Sequence, residues 1–176
     1  MESERIDKKA LFNMTYGMYI VSTAAEGKLN GQIANAAMQI TGEPICVAVC
    51  LNKANLTTEM ISKSGFFAVS VLEQDVPMTF IGQFGFKSGR DIDKFENVNF
   101  ITGDTGAPMV TDWSIGVLEA NVVQKMELAT HILFVGEVVS SKFLKEATPL
   151  TYADYHLIKK GKSPKTAPTF GFNTLK

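Results

Sequence analysis

Residues 30–58 read NGQIANAAMQITGEPICVAVCLNKANLTT, and this stretch sets the pattern of strands and breaks on which the rest of the chain depends. Residues 32–41 have the character of a strand, which Gly42 and Pro44 end because proline cannot donate to a sheet ladder. Residues 45–51 show no polar alternation. Such a run predicts a strand buried on both faces, as in a closed barrel or at the centre of a sheet.

A short helix is predicted after this buried strand, with Asn55 as its N-cap and Gly65 as its terminator after Ser64. Two further helices are predicted, over residues 5–14 and 76–83. Further strands are predicted over residues 18–23, 66–72, 113–127, 132–140 and 155–159. Residues 84–90 are predicted to form a glycine-rich loop, residues 91–95 a single helical turn, and the residues from about 161 a loose tail. Gly136 marks a bend or a close backbone approach within its strand. Many short strands with only short helices between them favour a mainly β, antiparallel barrel over βαβ winding.

Composition restricts the class of protein. A chain of 176 residues, 45% of them hydrophobic, is expected to form a single globular domain over residues 1–176. The net charge of -1 argues against a broad surface for nucleic acid. The longest apolar run, residues 45–51, is far shorter than the roughly 20 residues that cross a bilayer, and the charged N-terminus has no signal-sequence pattern. We therefore expect a cytoplasmic protein that binds neither nucleic acid nor membrane.

Several common kinds of site are not predicted. Cys46 and Cys50 lie four residues apart on one strand, about 13 Å from each other, which is too far for a disulfide. They are interpreted as small buried residues. The two histidines lack HExxH-type spacing, so no metal site is predicted. Neither a G-x-G-x-x-G nor a G-K-[ST] nucleotide motif occurs, nor does a nucleophile elbow.

The start of the helix after residue 55 is a candidate site for an anion. Free N–H groups of a first helical turn and the helix dipole both favour negative charge. Lys53 precedes the expected cap at Asn55, and Thr57 and Thr58 add hydroxyls in the first turn. This combination suits a phosphate monoester. An ordinary capped surface helix with a solvated lysine explains the same residues.

The strand before it is a candidate surface for a flat ligand. Ala34, Ala36 and Ala37 stand where strands usually carry branched residues, so a planar ring could approach the backbone. Gln32 and Asn35 supply amide donors and acceptors nearby. The alternative is a strand packed against a bulky neighbour, although a buried asparagine among alanines would still need a polar partner.

Residues 84–90 and His131 each allow two interpretations. Residues 84–90 (FGFKSGR) form either part of a binding site or a flexible basic surface loop. His131 begins a strand, where it is either a structural residue or a group that pairs with an anionic or amide-bearing substrate. His156 is interpreted as structural.

Taken together, these pieces resemble the flavin reductase-like, FMN-binding split-barrel domain, and especially the flavin domain of high-molecular-weight rubredoxins and flavoredoxin-like proteins. The resemblance extends over nearly the whole chain. It rests on four segments in the correct order: residues 31–41, residues 51–57, SGRDIDKF at 88–95 and HILFVGEV at 131–138.

The resemblance implies a six-stranded antiparallel Greek-key split barrel with short peripheral helices, an obligate homodimer and FMN near the subunit interface. It also implies three groups of FMN-binding residues. Gln32, Ile33, Ala34 and Asn35 would line the ring and ribityl chain, Cys50, Leu51, Asn52, Lys53, Asn55 and Thr57 would hold the ribityl chain and phosphate, and Phe84, Gly85 and Ser88 would close the site.

The family's nicotinamide-using reductases carry Gly-Asp-His where this chain has Ala129-Thr130-His131, and in them the histidine meets the nicotinamide. His131 is therefore the catalytic candidate, while the altered neighbours weaken the case for direct NAD(P)H oxidation. No CxxC pair follows residue 160, so a rubredoxin-like or ferredoxin-like acceptor would be a separate protein. The expected function is an FMN-dependent oxidoreductase that takes electrons from NAD(P)H. The alternative is a non-catalytic electron-transfer flavoprotein that exchanges electrons only with protein partners.

Overall fold

The computed structural model describes residues 6–170, and this part of the chain is mainly β with short helices at its periphery. It contains nine strands: β1 (Tyr19–Ala25), β2 (Lys28–Ala34), β3 (Ala37–Gly42), β4 (Ile45–Asn52), β5 (Phe66–Leu72), β6 (Phe100–Thr102), β7 (Pro108–Val110), β8 (Ser114–Glu127) and β9 (His131–Phe143). Four helices accompany them: α1 (Lys8–Leu11), α2 (Leu56–Ser64), α3 (Met78–Gly85) and α4 (Tyr152–Leu157). No helix within residues 6–170 has the length and hydrophobicity to span a bilayer.

Seven strands form one antiparallel sheet in the order β2-β1-β5-β8-β9-β4-β3. Its two edge strands, β2 and β3, are consecutive in the chain and are separated only by Asn35 and Ala36. Three backbone steps span at most about 11 Å, so the sheet must curl until its edges come together. The backbone N–H of Cys50 on β4 donates to the carbonyl of Ala36 at 2.9 Å, which extends the β3–β4 pairing into this turn. The predicted mainly β, antiparallel barrel with short helices is confirmed.

The strand count exceeds the six predicted for two reasons. Residues 32–41 do not form one strand, because the chain turns at Asn35 and Ala36 to pass from one sheet edge to the other. In addition, β6 and β7 pair in a separate two-stranded sheet that the sequence pattern did not predict.

The barrel interior is close-packed around Phe67, which is fully buried together with Val49 and Phe134. Gly136 on β9 lies against this ring. A Cβ at Gly136 would stand 2.7 Å from the ring of Phe67 and 2.8 Å from the Cβ of Ala120. The close approach predicted at Gly136 is therefore confirmed.

The helix predicted after residue 55 is also confirmed. Asn55 is the N-cap of α2, and Gly65 ends the helix in the left-handed conformation with φ 76°. Met60 and Ile61 on this helix are buried. The strand predicted over 113–127 is β8, whose pairing with β9 contains register shifts.

Other boundaries differ from prediction. α3 begins only after Pro77 and continues to Gly85, so the first two residues of the predicted loop over 84–90 belong to a helix. Residues 91–95 form turns instead of a helical turn, because the carboxylate of Asp93 accepts a hydrogen bond from the backbone N–H of Phe95 at 2.9 Å and competes with helical bonding.

Both ends of the described chain need correction as well. The predicted helix over 5–14 is limited to α1, whose four residues follow an Asp7 cap; residue 5 lies outside the described range. The predicted strand over 155–159 is wrong, since most of these residues lie in α4. Thr151 caps α4 by accepting from the backbone N–H of Asp154 at 3.0 Å, and Tyr152 and Tyr155, one helical turn apart, are both buried.

Candidate functional site

A cavity of about 370 Å³ lies beside the point where the two edges of the sheet meet. Its wall is formed by β2, the end of β4, the N-terminus of α2, the end of α3 with the loop after it, α4 and residues 162–168. Segments from across the chain therefore converge here, and the turn at Asn35 and Ala36 brings β2 and β4 to opposite sides of it.

Twelve of the thirteen residues predicted to bind a cofactor line this cavity: Gln32, Ile33, Ala34, Asn35, Cys50, Leu51, Asn52, Asn55, Thr57, Phe84, Gly85 and Ser88. Lys53 is the thirteenth and is not on the wall. Its ammonium lies 3.3 Å from the carboxylate of Glu127, so it is directed to a neighbouring strand. The structure thus brings together the residues that the resemblance grouped, with one exception.

His131 is not on the cavity wall either. His131 pairs with Asn52 in the β4–β9 ladder. Asn52 lines the cavity, whereas His131 does not. Its Nδ1 lies 2.7 Å from the hydroxyl of Thr130, while its Nε2 is buried without a hydrogen-bond partner. Within residues 6–170 this ring nitrogen is therefore enclosed without a hydrogen-bond partner.

Two buried amide oxygens of residues that line the cavity have no hydrogen-bond partner in the described part of the chain. They are Oδ1 of Asn30 and Oε1 of Gln32, which flank Gly31 on β2. The other atom of the Asn30 amide, Nδ2, donates to the hydroxyl of Thr57 at 3.0 Å, which fixes the orientation of that side chain. Because buried polar atoms are almost always paired, these two oxygens mark β2 as a place where the described residues leave hydrogen-bond acceptors unused.

Gly89 packs directly against this amide. A Cβ at Gly89 would stand 2.1 Å from Oδ1 of Asn30 and 3.2 Å from a methyl of Leu56. The loop after α3 can therefore approach β2 and α2 only because residue 89 has no side chain. This close approach completes one side of the cavity.

The N-terminus of α2 opens onto the cavity. Asn55, its N-cap, makes no side-chain hydrogen bond to the first turn, so the first N–H groups of the helix are not capped by it. Asn52 instead stabilises the approach to the helix by accepting from the backbone N–H of Ala54 at 2.9 Å. Uncapped N–H groups at a helix start favour an anion.

The charged side chains that line the cavity are positive. Lys87, Lys94 and Lys162 line the cavity, and no acidic residue does so among the residues that the structure describes. Over the whole chain, by contrast, acidic residues slightly outnumber basic ones. The local excess of positive charge, together with the α2 N-terminus, predicts a negatively charged ligand.

Lys94 was not singled out from the sequence, although it lies within the SGRDIDKF segment. Its side chain is buried, and its Nζ donates to the carbonyls of Gly31 and Phe84, both at 2.9 Å. Burial lowers the pKa of Lys94 to about 8. The neighbours of Lys94 in the sequence did not indicate that it is buried, because its burial results from contacts with β2 and α3, which are distant in the sequence.

Residues 161–170 were expected to form a loose tail, but they pack across the cavity. Tyr155 donates to the carbonyl of Lys162 at 2.9 Å, and burial raises the pKa of this tyrosine, so its hydroxyl stays protonated. At the far rim, Nδ2 of Asn35 donates to the hydroxyl of Thr169 at 3.0 Å. The hydroxyls of Tyr152 and Ser163 are also hydrogen-bonded to each other. The segment therefore joins α4 to the β2–β3 turn.

Comparison with known proteins agrees with this fold. Residues 11–159 match the family described as flavin reductase like domain. The fold and the cavity therefore define a flavin-associated split barrel, and the chain belongs to the flavin reductase-like family.

Two relatives and one solved structure are similar to this chain over most of its length. The chain is 49% identical, over 94% of its length and 98% of the relative's, to a ferric-chelate reductase (NAD(P)H) of Archaeoglobus fulgidus. It is 46% identical, over 94% of its length and 72% of the relative's, to a high molecular weight rubredoxin of Moorella thermoacetica. The crystal structure of flavoredoxin from Methanosarcina acetivorans has the same fold, with a TM-score of 0.69 at 24% identity over 77% of this chain and 74% of the other. The chain is a flavin reductase-like oxidoreductase.

Proposed function

We propose that this protein binds FMN in the cavity and passes electrons from NAD(P)H, through the bound FMN, to a flavin or a small redox protein such as rubredoxin. The observation that carries the proposal is the composition of the cavity wall: unpaired amide acceptors and Ala34 on β2, and lysines without carboxylates among the described residues, beside an open helix N-terminus. A planar heterocycle with hydroxyls and a phosphate has the complementary groups.

The residues divide by position along the cavity. Gln32 and Asn35, with Ile33 and Ala34 between them, would contact the ring and the ribityl chain. Asn52, Asn55 and Thr57 would hold the ribityl chain and the phosphate near the start of α2, and Lys87 and Lys162 would balance the phosphate charge. When bound, FMN supplies the hydride and electron-transfer chemistry, while the protein binds it, orients it and excludes water.

FMN is proposed over FAD because of the charge at the α2 N-terminus. A phosphate monoester carries close to two negative charges at neutral pH, and a helix N-terminus with nearby lysines favours such a group. In addition, residues 162–168 close the cavity on the side of α4. A dinucleotide would need further room beyond the phosphate.

The names of two relatives suggest candidate electron acceptors. One relative, 98% of whose length matches this chain, is named a ferric-chelate reductase. A ferric chelate is therefore a candidate electron acceptor beside free flavin and rubredoxin. The high molecular weight rubredoxin is longer than the region that matches, since the match covers 72% of it.

A homodimer is part of the proposal. A second cavity is lined by Met38, Ile45, Val71 and Leu118, and the first two of these side chains are 67% and 50% exposed. Large apolar side chains grouped on one sheet surface favour burial by a second copy. Sedimentation equilibrium of wild type and of Met38→Glu tests this: we expect a dimer that the charge dissociates, with Met78→Glu on α3 as the exposed control. A monomeric wild type would refute the dimer.

The central test is the visible spectrum of the purified protein, followed by anaerobic titration with NADH and then NADPH. We expect a yellow protein that is bleached by a nicotinamide. Thr57→Val should weaken FMN binding about tenfold, since one buried hydrogen bond is worth roughly 1 kcal/mol and Asn30 would lose its partner. The matched control is Thr41→Val on exposed β3, which should bind FMN as wild type does. A colourless protein that takes up no FMN would refute the proposal.

The second candidate, an electron carrier without nicotinamide activity, is favoured by one observation: His131 does not line the cavity. If His131 nevertheless contacts a nicotinamide, His131→Ala should lower the rate of reduction by NADH while FMN content stays the same. A yellow protein that is reduced by dithionite but by neither NADH nor NADPH would establish the carrier instead.

A further inference from the structure

Lys94 is the most deeply buried lysine at the cavity. Its side chain is 5% exposed, whereas Lys87 on the same wall is exposed. The ammonium is held in place because two of its three protons are donated to fixed backbone carbonyls, those of Gly31 on β2 and Phe84 on α3, each at 2.9 Å. One donor therefore remains, at a position set by a strand and a helix that both line the cavity.

No carboxylate balances this charge. The ion pairs within residues 6–170 involve Lys53, Lys63, Arg90 and Lys145, and Lys94 forms none of them. Burying an unpaired ammonium is unfavourable, which is consistent with the pKa lowered to about 8 by burial, and the charged form still predominates at pH 7. For packing alone, an apolar side chain of the same length would serve better. The charge is accounted for if a ligand in the cavity carries the balancing negative charge.

Resting on the proposed function, we propose that Lys94 is the fixed counter-charge of the flavin ring, and that it makes the site prefer reduced over oxidised FMN. The oxidised ring is neutral. Transfer of a hydride from NAD(P)H, which is two electrons and one proton, gives NAD(P)+ and a reduced ring with one negative charge. A nearby positive charge attracts only the second of these forms, so it raises the midpoint potential of the bound flavin.

The phosphate of FMN has the same charge in both oxidation states, and this provides the matched control. Lys87→Met removes a lysine from the exposed part of the wall and should weaken the binding of both forms equally. Lys94→Met removes the buried charge while keeping an unbranched apolar side chain. It should weaken the binding of reduced FMN more than that of oxidised FMN.

The experiment is an anaerobic redox titration of the FMN-loaded wild type and both variants against indicator dyes, combined with the Kd of oxidised FMN from fluorescence. For Lys94→Met we expect the preference for the reduced form to fall at least tenfold, which lowers the midpoint potential by about 30 mV for a two-electron couple. Lys87→Met should leave the midpoint within about 10 mV of wild type, a shift smaller than threefold in that preference.

A Lys94→Met protein that binds FMN with an unchanged midpoint overturns the inference, since Lys94 would then only tether β2 to α3. Should this variant fail to fold, Lys94→Gln, which removes the charge but keeps an N–H donor, must show the same drop in midpoint or the inference fails. A wild type that binds no FMN would refute the proposed function, and is distinguished from both outcomes by the fluorescence measurement.

Discussion

The buried carboxylate of Glu119 offers the sharpest test of how the structure is stabilised. Glu119 lies on β8 and is fully buried. Its Oε1 accepts from the backbone N–H of Asp104 and the hydroxyl of Ser140, both at 2.8 Å, and its Oε2 accepts from the backbone N–H of Thr105 at 2.9 Å and from the Thr105 hydroxyl. The carboxylate therefore binds the loop between β6 and β7 to the barrel. Glu119→Gln keeps the size of the side chain and removes half of its acceptor capacity.

The cost follows from which donors can adapt. The hydroxyls of Thr105 and Ser140 can rotate, but the backbone N–H groups of Asp104 and Thr105 cannot. In either orientation of the glutamine amide, one of these two N–H groups faces the NH₂ group and loses its acceptor. A buried donor without a partner costs about 1–3 kcal/mol, and the bonds that remain lose the assistance of a charge, so we expect a loss of about 3 kcal/mol. For a protein of this size that corresponds to a fall in Tm of about 6–12 °C.

Differential scanning calorimetry at pH 7 measures this change. The matched control is Glu127→Gln on the same strand, where the side chain is 62% exposed in its ion pair with Lys53. An exposed pair contributes about 1 kcal/mol at most, so the control should fall by no more than a few degrees. If Glu119→Gln melts within about 2 °C of the control, the reasoning about unpaired donors is refuted.

The effect should also depend on pH with a defined sign. Burial raises the pKa of Glu119, but the hydrogen bonds from Thr105, Ser140 and Asp104 outweigh it and hold the pKa below the ordinary value for a glutamic acid, about 4.3. A depressed pKa contributes stability that is fully present above the unfolded value and is lost as the pH falls through the folded value. The difference in Tm between wild type and Glu119→Gln should therefore be largest at pH 7 and shrink below about pH 4. A difference that stays constant down to the acid limit of folding would contradict this assignment.

Three further predictions concern the barrel and the cavity. Gly136→Ala would place a methyl 2.7 Å from the Phe67 ring, so it should lower the free energy of unfolding by about 1–3 kcal/mol and shift the urea midpoint to a lower concentration. An unchanged midpoint would mean that the ring can move aside. Lys53→Ala should change the Kd for FMN less than about threefold in fluorescence titration, because its ammonium lies outside the cavity and an exposed pair contributes about 1 kcal/mol at most. Truncation after Lys160 should speed FMN dissociation about tenfold or more in stopped flow, because the segment that crosses the cavity is removed and a hydrogen bond is worth roughly 1 kcal/mol; an unchanged rate would show that this segment does not retain the cofactor.

The sequence predicted what depends on neighbours in the chain. The break at Gly42 and Pro44, the end of α2 at Gly65 and the close approach at Gly136 each follow from the backbone preferences of one residue and its immediate context. The cofactor-binding group was predicted through a family resemblance, and the structure places all but Lys53 of its members on one wall.

The remaining features depend on residues that are distant in the chain. Lys53 has the right spacing for the anion site, but Glu127, 74 residues away, attracts its ammonium. The turn at Asn35 and Ala36 has neither glycine nor proline, so nothing local distinguishes it from a continuing strand. It is required only because β2 and β3 must pair at opposite edges of the same sheet.

This closure of the sheet also explains why the binding site lies where it does. A barrel closed by continuous pairing would satisfy its backbone groups and pack its interior, leaving no polar cavity. Here the two edge strands are joined through Asn35 and Ala36, and residues of β2, Asn30 and Gln32 among them, line the cavity together with residues from the end of β4. This arrangement leaves polar atoms unpaired at a place that α2, Lys94 and residues 162–168 then enclose. The cost of these unpaired atoms is offset when a ligand binds. The structure accordingly predicts that FMN raises the Tm of this protein, and that the increase grows with the concentration of FMN.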